Sequence, residues 1–136
     1  MARSPDAYVD TSALIAFLDR SDSHHPLFRR LFSAPPRLLT TALVIAEGQA
    51  WFLRRYDRSR ALHFLAMIED MPLAVVPVGI EEQRGGTAVL RKFSDQDMTL
   101  VDAVGIHLMR LRKIGVCWST DFHLGLGGVP LVVNLA

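Results

Sequence analysis

One cysteine in 136 residues leaves no internal disulfide to form, which fits a reducing compartment. That residue, Cys117, lies in the apolar run Val116-Cys117-Trp118, where a buried structural thiol is the expectation rather than a reactive one. No uninterrupted apolar stretch approaches the ~18 to 20 residues that a bilayer span requires, so no membrane partner is expected. A basic residue stands near the N-terminus, but Asp6 and Asp10 interrupt any signal-peptide apolar region. The expectation is a cytoplasmic protein. Internal repeats, low-complexity tracts and linkers are missing too, and 1–136 reads as one domain able to bury a core unaided. Charge of one sign is not in excess: 15 Lys and Arg against 14 Asp and Glu give +1, so bulk charge announces no polyanion. The five histidines form no zinc-protease pattern. Ser12 and Ser119 lack the histidine and acid that a serine nucleophile needs. Gly125-Leu126-Gly127-Gly128 is out of place for a phosphate loop and reads as a turn.

Half of the residues are hydrophobic and the mean hydropathy is +0.23, so either the interior is unusually apolar or a partner covers some surface. Ala7-Tyr8-Val9 reads as a short strand ending in Asp10, followed by a helix over 11–18 with Ile15 and Leu18 facing inward. Helices are expected over 27–32, 42–56, 60–70, 80–93 and 99–114, the last of these the longest and most apolar. The fourth should carry Leu62, Leu65, Ala66 and Ile68, and Gly85-Gly86 should weaken the fifth. Strands are expected over 37–41, 73–78, 116–119 and 131–133, with 73–78 central and buried on both faces because it lacks polar alternation. The alternation of short strands and helices predicts an α/β fold: a mainly parallel sheet of four to five strands with helices on both faces.

Four carboxylates are out of place for surface acids. Asp10 and Asp121 each follow a buried strand, and in open parallel sheets ligands bind outside the carboxyl ends of strands. A strand-end Asp also serves as a turn or helix cap, and Asp121 is open to that reading. Glu47 has Leu43, Val44, Ala50 and Trp51 as its helical neighbours, all apolar, so its charge needs compensation that a metal would give. Asp102 shares its face with Gly105, Ile106 and Met109, although Thr99-Leu100-Val101-Asp102 also has the form of a capping box. Converging hard oxygen ligands select Mg²⁺ or Mn²⁺. Such ions activate water and neutralise a phosphate, so the implied chemistry is phosphodiester hydrolysis. Sequestering four acids leaves ten against 15 bases, nearly all arginine, with Arg54, Arg55, Arg58 and Arg60 clustered. That strip is either a guide for a polyanion or a solvated helix end.

Val9-Asp10-Thr11-Ser12-Ala13-Leu14, Thr40-Thr41 leading to Ala46-Glu47, Ser94-Asp95 through Leu100-Val101-Asp102-Ala103, and Ser119-Thr120-Asp121-Phe122-His123 together resemble the PIN-domain nucleases. The likeness is closest to compact VapC-type toxins of toxin–antitoxin pairs and spans nearly the whole chain. The resemblance implies a PIN-like three-layer fold with Asp10, Glu47, Asp102 and Asp121 as acidic metal positions. It matches Asp95 to an additional acid, and Thr11 and Thr120 to hydroxyl positions beside the site. It further implies Mg²⁺- or Mn²⁺-dependent endoribonuclease activity on RNA, a homodimer, and inhibition by an antitoxin protein. An RNA-processing or DNA nuclease, or a silent protein-binding module, is the alternative that these residues leave open.

Overall fold

The computed structural model describes residues 6–135. The N-terminal reading against a signal peptide falls mainly on residues 1–5, outside those described. Three crossovers build one parallel sheet. β1 (Ala7–Val9) leads through α1 (Thr11–Leu18) and α2 (His25–Ser33) to β2 (Leu38–Thr41). From there α3 (Ala42–Arg55) and α4 (Arg58–Asp70) lead to β3 (Leu73–Val76), and α5 (Ile80–Lys92) and α6 (Leu100–Leu111) lead to β4 (Val116–Trp118). The strand order is β3-β2-β1-β4 and every pairing is parallel. The chain thus steps outward twice and then returns past its start. Because crossovers between parallel strands are right-handed, the reversal puts α5 and α6 on the sheet face opposite the first four helices. It also makes the gap between β1 and β4 the switch point, the place where such sheets bind ligands.

Both faces of the inner strands are covered: Ala7, Tyr8 and Val9 of β1 and Leu38 and Leu39 of β2 are buried. Thr40 and Thr41 are buried polar residues at the end of β2, and Thr40 Oγ1 donates to the Val9 carbonyl at 2.6 Å. One aromatic cluster joins α2 to β4, with Phe32 edge-on to Trp118 at 4.9 Å between centroids. Another joins α3 to α4 through Phe52 and Phe64, stacked at 5.3 Å.

Several details differ from the sequence reading. Segment 73–78 is not a central strand: β3 ends at Val76 and is an edge, with Ala74 and Val75 exposed. Pro72 and Pro77 bracket it, and a residue without an N–H is tolerated only where no further strand pairs. Segment 131–133 contributes one bridge, Leu131 to Cys117, and then turns into a short 3₁₀ helix, Val132–Asn134. Pro130 offers only its carbonyl to Cys117, so the sheet has four strands. In α1 it is Leu14 that is fully buried, while Ile15 and Leu18 are half-buried. Leu62 is 47% exposed on α4, where Ala61, Phe64 and Ile68 form the buried stripe. α6 is shorter than α3, 12 residues against 14. Gly85 does more than weaken α5: a Cβ there would lie 2.4 Å from the His107 ring, so the glycine allows α5 and α6 to approach.

The same logic at α3 gives a test. A Cβ on Gly48 would lie 2.4 Å from Cζ of the buried Phe64. Alanine is the better helix former by ~1 kcal/mol, but overpacking a rigid aromatic costs ~1 to 3 kcal/mol. Gly48→Ala is therefore expected to lower stability by about 1 kcal/mol in urea unfolding, and Gly48→Ala with Phe64→Leu to recover part of the loss.

Candidate metal centre

Asp10 leaves β1 as the N-cap of α1 and stays in the sheet ladder, its N–H donating to the Trp118 carbonyl at 3.0 Å. Its carboxylate is 3% exposed at the residue level, and two serine hydroxyls hold it there. Ser12 Oγ and Ser119 Oγ each donate to Oδ2 at 2.9 Å. These hydroxyls in turn accept from the loop after β4: Thr120 N–H donates to Ser12 Oγ at 3.0 Å, and Asp121 N–H to Ser119 Oγ at 2.9 Å. The relay joins the ends of two strands and puts both serine hydroxyls on Oδ2 of Asp10. Burial raises the Asp10 pKa, opposed by the bonds from Ser119 and Ser12.

Asp121, half-buried, caps a short 3₁₀ turn, Phe122–Gly125, by accepting from His123 N–H at 3.0 Å. Asp102 stands in the first turn of α6, whose N-cap Thr99 accepts from Asp102 N–H at 3.2 Å. Only that half of the expected capping box forms, and the Asp102 carboxylate faces the acids instead. Its pKa is raised to about 7, first by burial and then by the charges of Asp10, Asp121 and Glu47. Glu47 is half-buried at the margin of α3, because Val44, Gly48 and Phe52 form the core stripe. The acid therefore borders the core rather than sitting in it.

One crevice of about 290 Å³ gathers Asp10, Glu47, Asp102 and Asp121, with Trp51 and Arg54 on its rim. Asp95 stands apart, exposed on the turn after α5 and not part of that lining. Asp102, Asp121 and His123 each present a ligand atom within 4.8 Å of one another. Thr11, also in the lining, buries an Oγ1 that has no hydrogen-bond partner. A crevice of hard oxygen donors with an orphaned hydroxyl suits a hydrated Mg²⁺ or Mn²⁺, and the residues fit such an ion.

Sequence reasoning missed three contributors. Ser12 and Ser119, which lack the partners of a serine nucleophile, instead orient Asp10; their places just after β1 and β4 are the signal that the sequence offers. His123 lies two residues beyond Asp121, its Nδ1 3.2 Å from Oδ1 of that acid. Thr120, matched to a site hydroxyl, contributes its backbone N–H instead.

The chain matches the family model of the PIN domain over residues 7–124. Among solved structures it is similar to VapC20 of Mycobacterium tuberculosis, a toxin that cleaves the sarcin–ricin loop. The TM-score is 0.83 at 23% identity, covering 90% of this chain and 95% of that one. It is also similar to VapBC2 of Rickettsia felis bound to a promoter DNA fragment, with a TM-score of 0.63, 9% identity and coverage of 92% and 96%. A toxin–antitoxin complex from Klebsiella pneumoniae gives a TM-score of 0.62 at 14% identity, covering 92% and 94%. No curated protein matches it in sequence.

Proposed function

Because the chain belongs to the PIN-domain family, we propose that it is a Mg²⁺- or Mn²⁺-dependent endoribonuclease, the toxin of a VapBC-type pair. The observation that carries this is the convergence of Asp10, Glu47, Asp102 and Asp121 on one crevice at the β1/β4 switch point. Four carboxylates in 290 Å³ repel one another and repel phosphate, so the crevice works only with a cation between acids and substrate. When bound, such an ion supplies Lewis acidity and neutralises charge on the phosphodiester. Asp10, Glu47, Asp102 and Asp121 are the residues that would hold it. Ser12 and Ser119 fix the angle of Asp10, and His123 stands where it can hold a proton beside Asp121. Arg54 on the rim orients the phosphate without reading bases. The toxin–antitoxin complexes among the similar structures support an antitoxin partner for this chain. Among the described residues no helix is long and apolar enough to cross a membrane.

The test is cleavage of a panel of single-stranded and structured RNAs. Mg²⁺ or Mn²⁺ is expected to give discrete products, and EDTA to abolish them with recovery on adding metal back. Cleavage that survives EDTA, or metal binding with no cleavage of any RNA, overturns the reading.

A further inference from the structure

We propose that a cationic groove beside the acidic crevice binds the RNA backbone and sets affinity for the substrate; this rests on the ribonuclease reading above. The groove is a cavity of about 850 Å³ between the α1–α2 turn and the α3–α4 corner. Arg20, Arg29 and Arg60 reach it from three different segments, and His25 and His63 join them. Among the described residues the only ion pairs within 4.0 Å are two between histidine and aspartate, so none of these arginines is neutralised by an acid.

The one acid in the lining, Asp19, is buried and already engaged. Its Oδ1 accepts from Ser21 N–H at 3.0 Å and Ser21 Oγ at 2.7 Å, and its Oδ2 accepts from Tyr56 O–H at 3.0 Å. Asp19 therefore acts as a prop that holds the Tyr56 ring. That ring carries the Arg60 guanidinium 4.7 Å from its centroid and that of Arg55 at 5.3 Å. A guanidinium stacked on a ring keeps its N–H fork free and gives up less freedom on meeting a phosphate. The groove is thus preorganised for an anion.

A polymer fits better than a small anion because the groove and the crevice share two elements. α1 gives Ile15 to the crevice and Phe17 and Leu18 to the groove. α3 gives Glu47, Trp51 and Arg54 to the crevice, and its C-cap Tyr56 to the groove. At ~1.5 Å per helical residue, Glu47 and Tyr56 are about 13 Å apart along α3, a span that one nucleic-acid strand can bridge. Arg54 stands between them. Of the arginine strip seen in the sequence, Arg54 and Arg60 face these two cavities, and Arg20 and Arg29 complete the band from the other side.

The experiment measures binding of a fluorescent single-stranded RNA as a function of salt in an Asp10→Asn background. One variant adds Arg20→Ala, Arg29→Ala and Arg60→Ala; a second replaces the same three by lysine. All three arginines are exposed, so the fold should persist, and circular dichroism checks it. The alanine variant is expected to bind at least about tenfold more weakly at low salt, with the slope of log K against log salt reduced by about two; lysine should restore the slope. Unchanged RNA affinity and slope in the alanine variant overturn the groove and leave the nuclease reading intact. Unchanged RNA affinity with loss of binding to a co-expressed antitoxin assigns the groove to a protein instead, and also overturns it. Absence of RNA binding by the Asp10→Asn parent overturns both.

Discussion

Asp10→Asn is expected to lose most of the proposed metal-dependent cleavage of RNA and to leave the protein at least as stable as before. The loss expected is on the order of 10²- to 10³-fold, the usual effect of removing one preorganised electrostatic group from a reacting centre. Stability moves the other way because Asp10 is a buried charge facing other acids. Asparagine keeps the shape and can still accept from Ser12 and Ser119 through its carbonyl oxygen, while its amide turns to the crevice. One charge fewer also relieves Asp102. Activity is read on labelled RNA with Mn²⁺, and stability by thermal unfolding in EDTA. Near-normal cleavage by the variant would remove Asp10 from the mechanism.

Metal and protons are expected to compete for the same acids, and stability should show it. Asp102 has its pKa raised to about 7 from an ordinary 3.8. Between those values the folded state binds more protons than the unfolded chain, so stability falls as pH rises from about 4 to 7 and then levels. Without metal, the change from pH 5.5 to 7.5 should cost on the order of 1 kcal/mol after allowing for solvent screening, a Tm lower by a few degrees. Mn²⁺ is expected to reverse the trend, because a metal ion would bind the deprotonated acids. At one hundred times its Kd the ion adds ~2.7 kcal/mol at pH 7.5, and much less at pH 5.5. A Tm that rises with pH in EDTA, or that ignores Mn²⁺ at pH 7.5, contradicts this account.

The acids were legible in sequence because each broke a local rule. Asp10 and Asp121 ended apolar strands, and Glu47 and Asp102 stood beside apolar helical neighbours. The sheet was legible for the same reason in reverse: Tyr8, Val9, Cys117 and Trp118 form runs too apolar for anything but a covered strand. Strand position was not legible. Val75 and Val9 carry the same side chain, yet one is 40% exposed and the other fully buried, and only the order β3-β2-β1-β4 separates them. Ser119 was harder to assign than its place after β4 suggests, since the carboxylate that it holds lies 109 residues away. Tyr56 and Asp19 likewise meet across 37 residues to shape a groove that neither segment announces.

The serine relay has a consequence for when the chemistry becomes available. A nascent chain that has emerged only as far as α6 carries Asp10, Glu47 and Asp102, but neither Ser119 nor Asp121. Its Asp10 lacks the hydroxyl that holds it and the strand that pairs with β1. The crevice is therefore incomplete until β4 has docked beside β1, whichever part of the chain folds first.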